Sequence, residues 1–371
     1  MTTGHRLRPR HPIRSSILGL AVLGACSSNA QDPLRDDGAA DAATTVDGTR
    51  WLTFKNGTWD VFEDREGKLW FTGYDQTCRY DPAARDSANG GFTYYPTAGR
   101  FQEDAEGRLW MQNTDGIHRF DGDQFLAFRN RNYDARNQWA KADGDLWFGS
   151  DGGMEFTAEE GQWGVYRVHD GACTFLALPE TAGDRHQFFP LTSRVMHGKD
   201  GKLWFGAFEA AFGYDGESFD IIGRDRMGRT DESRDVGIRG YHMDSRGILW
   251  MADNGVGLFA YDGKEVIPFT ALHNLRDEDV DGNSLHRAFA ISEDDHGNLW
   301  IGTAYSGVWK YEPSRSDPIR KGTFTNFTEE HGMPCEGIRN IYKTRSGELL
   351  FVGNSPHGVY RFDGTSFERA Y

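Results

Sequence analysis

The sequence predicts an all-β fold, a seven-bladed β-propeller of four-stranded antiparallel blades, and three observations carry that expectation. A Gly-x-Leu-Trp core recurs six times and a seventh copy ends in Leu-Leu, each after an acidic or polar run. Each core is followed by a second alternating segment that usually carries an Asp-Gly pair. The chain of 371 residues also holds 46 Gly and 50 aromatics (25 Phe, 14 Tyr, 11 Trp) against 12 Pro. That composition favours many short strands joined by tight turns over long helices.

The cores are EDREGKLWF (63–71), EDAEGRLWM (103–111), KADGDLWFG (141–149), GKDGKLWFG (198–206), MDSRGILWM (243–251), EDDHGNLWIG (293–302) and KTRSGELLFVG (343–353). Their anchors are Trp70, Trp110, Trp147, Trp204, Trp250 and Trp300, with Leu350 in the seventh place. Separations of 40, 37, 57, 46, 50 and 50 residues imply loop insertions on a constant scaffold. In each blade the first strand precedes the acidic turn and Leu-Trp-Phe-Gly forms the second. A Gly-Val-Tyr-Arg-Phe type run forms the third, and a Ser-Phe or Phe-x-x-Phe stretch the fourth. Asp-x-x-Gly and Asp-Gly supply the turns, where positive φ is needed. Period-two alternation excludes helix, and 322 residues over seven repeats give 46 per blade. The Trp rings are expected to pack between blades rather than on a ligand. Two segments, Trp51–Phe54 and Ser366–Arg369, compete for one outer-strand slot at the ring's closure, so how the ring closes stays open.

Three segments are expected: 1–25 a lipoprotein signal peptide, 26–49 a flexible tether and 50–371 the propeller. Arg6, Arg8, Arg10 and Arg14 precede a short apolar stretch that ends at Leu23-Gly24-Ala25-Cys26, the layout of an export signal. The stretch is shorter than the roughly 20 residues a spanning helix needs. Leu-Gly-Ala-Cys resembles a bacterial lipobox, which implies lipid on Cys26, and Ser27-Ser28 with no Asp beside the Cys resembles the pattern sorted to the outer membrane, facing the periplasm or the cell surface. An ordinary signal peptide with an incidental Cys is the alternative. Residues 27–49 lack the apolar content to fold.

Net charge is −15, which speaks against nucleic acid as a partner. Cys78, Cys173 and Cys335 form no CxxC or Cys/His cluster, so zinc is not expected, and buried free thiols are.

The blades resemble the two-component regulator propeller repeat, on AISEDDHGNLWIGTAYSGVWKYEP (290–313) and on GMPCEGIRNI (332–341). The resemblance covers nearly all of 50–371. It implies a sensor-input propeller that faces the periplasm and binds a small ligand, a glycan or an envelope signalling protein. No phosphoacceptor-His helix or ATP-binding loop is present in the sequence, so kinase activity is not carried over.

Arg100, Arg194, Arg239, Arg287 and Arg339 stand at or just before inner strands, 10, 11 or 13 residues ahead of the Trp position. With His286 they are the candidate ligand-binding residues, because guanidinium groups can grip carboxylate or sulfate bidentately. Alternatively they pair with neighbouring acids such as Asp235 or Glu336. The insertions 223–239 and 270–288 are candidate binding loops. Asp277, Asp279 and Asp281 before Gly282 match the first half of a calcium loop, but Ala288 stands where its bidentate Glu belongs. Calcium is the one cofactor considered, and a solvated acidic loop is the alternative.

No catalytic residue is assigned. The enzymatic alternative is a metal-dependent lyase or hydrolase of the streptogramin-lyase kind, which Ser355-Pro356-His357-Gly358 resembles. The register differs: Pro-His-Gly precedes the inner strand in that family and follows strand two here. His186, His286, His331 and His357 would be its candidate loop histidines. A structural scaffold of an envelope complex is a third class.

Overall fold

Seven antiparallel sheets stand in chain order around a channel in the computed structural model. It describes residues 45–46, 49–50, 52–54, 56–113, 115–128, 144–149, 164–169, 172–179, 191–229, 237–279, 282–335, 337–354 and 356–371. Asp41–Tyr371 is one compact unit. The lipobox Cys26, His186, Asp235, Asp281 and Glu336 lie outside the described residues. At the boundary read between tether and propeller, Thr45–Val46 and Thr49–Arg50 pair antiparallel.

Blade five shows the pattern. Its strands are Ile238–Met243, Leu249–Asp253, Gly257–Tyr261 and Val266–Ile267, each hydrogen-bonded to the next. The seventh blade runs likewise through Ile338–Lys343, Leu349–Asn354, His357–Phe362 and Phe367–Arg369. Six blades show four strands; in the third, three are described, from Leu146 to Ala177. Among the described blades, first strands of neighbours approach one another, from blade four through seven to one and two, and so form the channel wall. Between first and second strands an Asp-x-x-Gly turn repeats, closed by the glycine N–H on the Asp carbonyl, with φ of 79° at Gly67 and 91° at Gly247, a backbone region that side chains disfavour. Among the described residues no helix is long and apolar enough to cross a membrane.

The Trp rings lie between blades as expected. Trp70 meets Phe101 and Phe120 of blade two at 5.4 and 5.1 Å. Trp300 meets Phe351 of blade seven at 5.5 Å. Offset and edge-on contacts of this kind add about 0.5–1.5 kcal/mol beyond area burial.

A second interaction ties the turns of blades one, five, six and seven to the following blade. The amide of Ser245 in blade five donates to Glu293 of blade six at 2.7 Å. Arg65 of blade one donates likewise to Glu103 of blade two at 3.0 Å. Between blades six and seven the same two positions carry opposite charges, Asp295 and Lys343, with Nζ 2.6 Å from the carboxylate.

Ring closure follows that rule too. The Arg345 amide of blade seven donates to Glu63 of blade one at 2.6 Å. Tyr342 OH accepts from the Glu63 amide at 2.8 Å. Phe367–Arg369 takes the outer-strand slot of blade seven, while Leu52 and Phe54 are buried in the seam between blades seven and one without joining a sheet. Leu350 leaves this seam without a Trp, and Tyr371 enters it instead, against Phe71 at 5.0 Å and Tyr80 at 5.1 Å. Among the described residues no strand is exchanged between the ends of the ring; packing of Leu52, Phe54 and Tyr371 and the Glu63 hydrogen bonds join blades seven and one.

Cys78, Cys173 and Cys335 are free and buried, and desolvation pushes each of these thiols up to about 12.

Candidate functional site: an arginine-lined channel

Inner strands alternate, so residues one and three positions before the strand's last residue face the channel. At the outer of these levels stand Asp60, Arg100, Arg194, Gly240, Ala290 and Asn340, all lining one cavity of about 380 Å³. At the deeper level His242, Ser292 and Tyr342 line the same space.

The outer level is wired across the channel. Arg194 of blade four reaches Asp60 of blade one, with Nη2 2.6 Å from Oδ2. Its Nε donates to the Phe101 carbonyl at 3.1 Å. Asn340 Nδ2 donates to the other Asp60 oxygen at 2.8 Å. Arg100 lies over the Trp59 ring at 5.5 Å. Among the described residues no group accepts a hydrogen bond from the Arg100 guanidinium. Burial lowers its pKa from the ordinary arginine value, and Arg194 adds to that while Asp60 opposes it. The group stays charged, as arginine does in proteins.

Arg239 and Arg339 occupy the residue above, where a register shift separates Ile238 from Gly240 and Ile338 from Asn340. A bulge re-aims its extra side chain, and both guanidiniums go to aromatic neighbours at the mouth. Arg239 lies 4.6 Å from the Phe208 ring, and Arg339 donates to Tyr74 OH. The equivalent bulge residue of blade six is Phe289, not Arg287. Arg287 is exposed, stacks on Tyr305 at 5.6 Å and is not among the cavity's lining residues. The three spacings therefore mean three places: ten residues before the anchor is the channel wall, eleven the mouth, thirteen the outer surface.

Of the histidines, His286 is partly buried beside Arg287 and does not line the cavity. His331 forms part of a capping box with Thr328. His357 starts the third strand of blade seven and its ring presses on Gly57, where a Cβ would meet Nδ1 at 2.3 Å. Burial lowers its pKa, and Arg339 lowers it further. Asp279 spends a carboxylate oxygen on the Asn283 amide at 2.8 Å in an Asp-x-x-Gly turn of its own. Asp277 stands just ahead of that turn. Among the described residues no three His, Cys, Asp or Glu gather as a metal site.

Among the channel residues not singled out in the sequence are Trp59, which carries Arg100, and His242, whose buried Nε2 meets no partner among the described residues. The signal for His242 was its place two residues beyond the channel-facing Gly240 on a period-two strand.

Fold and site together define a seven-bladed propeller with an arginine-lined channel. The two component regulator propeller family matches residues 282–305, so blade six carries that family's repeat. No curated protein matches the chain in sequence. Among solved structures, the extracellular domain of a protein named as a hybrid two component system from B. thetaiotaomicron is similar at 15% identity and a TM-score of 0.37. The match covers 88% of this chain, which spans 47% of that domain. Streptogramin B lyase is similar at 12% identity and a TM-score of 0.49, covering 82% of this chain and 93% of the lyase. PorZ, a surface component of the type-IX secretion system of Porphyromonas gingivalis, is similar at 15% identity and 0.35, covering 87% and 50%.

Proposed function

We propose that this propeller is a sensor-input module that binds an anionic ligand in its channel and does not transform it. One observation carries the reading. Arg100, Arg194, Arg239 and Arg339 line one cavity whose described lining holds a single acid, Asp60, in a protein of net charge −15. Cations concentrated in a low-dielectric cleft of an acidic protein favour an anion there and speed its arrival. Aromatic rings around the same guanidiniums suit a carboxylate- or sulfate-bearing sugar, whose ring faces are apolar. Lipid on Cys26 holds the module at the cell envelope, and occupancy passes to a separate partner protein.

A thermal-shift screen on the full chain tests this, using trigalacturonate against neutral galactotriose. A hundredfold excess over Kd adds about 2.7 kcal/mol to the native state. The acid raises the midpoint, the neutral sugar does not, and R339A weakens the response. Calcium and chelator arms test the 277–281 loop in the same plate. Equal shifts with both sugars would defeat the anion reading.

A further inference from the structure

We infer that the channel mouth takes a ligand with two anionic groups, seating one on Arg100 of blade two and the other on Arg339 of blade seven, on either side of blade one. This rests on the anion reading and narrows it to dianions.

The number of anionic groups follows from the charges around the cavity. Among the described residues five cations line it, Arg100, Arg194, Arg239, Arg339 and Lys343, against the one carboxylate of Asp60. Arg194 holds Asp60 at 2.6 Å, and Asn340 takes the other Asp60 oxygen. Lys343 holds Asp295 at 2.6 Å. Arg239 stands in the field of the buried Asp253 carboxylate. Arg100 and Arg339 remain, and the partners they do have are neutral. Arg100 lies on the Trp59 ring, and Arg339 donates to Tyr74 OH. Asp60 bears on Arg100 only through space, where Arg194 opposes it. Charges left uncompensated in a cleft of low dielectric draw in a counter-charge each.

Blade one brings the two seats to one ligand. The first strands of blades seven, one and two lie side by side. Trp59, just ahead of the blade-one strand, carries Arg100 and fixes its own ring by donating Nε1 to the Gly73 carbonyl. Tyr74, the next residue after that carbonyl, is the acceptor for Arg339. Asn340, beside Arg339, donates to the Trp59 carbonyl at 3.3 Å. Both guanidiniums are thus held by groups of the same blade, and both residues keep part of their surface open to the cavity. On the blade-seven side burial lowers the pKa of His357 and Arg339 lowers it further, so the positive field of Arg339 reaches the neighbouring loop. A fork of N–H donors already held in place loses little freedom when a carboxylate arrives. Once one end of a dianion is seated, the other binds intramolecularly at high effective concentration.

Calorimetric titration of the full chain with succinate, adipate and suberate, each alongside its monomethyl ester, tests this. The half-ester keeps the length and loses one charge. At the length that spans the two seats the diacid is expected to bind about tenfold to a hundredfold tighter than its half-ester, the yield of a second charge-assisted contact. R100M and R339M each bring the diacid down to the affinity of the half-ester, and half-ester binding that persists in each shows an intact site. R287M, on the outer surface, changes neither. Diacids and half-esters that bind alike at every length, or a diacid advantage that survives in R339M, overturn the inference and leave the anion reading standing. If no diacid binds, the inference falls as well, and the trigalacturonate titration then decides the anion reading by itself.

Discussion

Asp244 accepts the indole N–H of Trp250, six residues further along the chain, at 3.0 Å. The pair recurs as Asp64–Trp70 at 2.8 Å, Asp104–Trp110 at 2.8 Å and Asp294–Trp300 at 3.0 Å. The other Asp244 oxygen accepts the amides of Arg246 and Ile248 at 2.9 and 2.8 Å. One carboxylate thus folds the turn and satisfies the only polar atom of the ring that packs against the next blade. Where the Trp is absent, at Leu350, the turn residue is Thr344, which bonds within its own turn.

Replacing Asp244 by Ala strands three donors in a buried turn. The expected loss is about 2 kcal/mol of unfolding free energy, read as a lower urea midpoint. D244N keeps one acceptor oxygen and loses less.

Turn-to-blade pairing predicts a charge cycle. K343E sets a carboxylate opposite Asp295 and costs about 0.5–1 kcal/mol, the scale of a partly exposed pair. D295S added to K343E rebuilds the Ser245–Glu293 arrangement of blades five and six and restores the loss. A double-mutant cycle from urea melts gives the coupling.

Tyr371 closes the seam that a seventh Trp would fill. Y371A opens a gap against Phe71 and Tyr80 and costs about 2–3 kcal/mol. Y371F costs less than Y371A, because the ring contact persists. Differential scanning calorimetry of the two variants reads the difference.

Burial depresses the pKa of His242 below 6.5, the ordinary histidine value; Lys343 adds to this, while Glu293 and Asp244 oppose it. The unfolded chain therefore takes up a proton at a higher pH than the native one. Stability conferred by the neutral ring is complete above about 6.5 and falls as pH drops from there through the native pKa. H242F flattens this slope relative to wild type, measured by urea melts between pH 7 and 5.

The blade plan was legible because Gly-x-Leu-Trp and Asp-Gly repeat in the sequence. The Glu-Asp pairs at 63–64, 103–104 and 293–294 repeated as visibly, yet their division of labour was not readable. Glu reaches the neighbouring blade, whereas Asp turns inward to its own Trp, a distinction made only in three dimensions. Closure escaped for the same reason: Leu52 and Tyr371 act by packing, which leaves no strand pattern. For the site, spacing told which arginines differ. It could not tell where they go, because a bulge at Arg239 and Arg339 turns one residue of register into the difference between wall and mouth. Asp60 as the partner of Arg194, 134 residues away, is likewise a product of the closed ring.

The most direct test of an anion-binding channel is the affinity of the full chain for trigalacturonate, measured by titration calorimetry at two salt concentrations. Binding is predicted to saturate at one site, to weaken as salt rises and to disappear in R100M/R339M, whose fold is checked by circular dichroism. Undiminished binding in that double variant, or equal affinity for neutral galactotriose, would contradict the account.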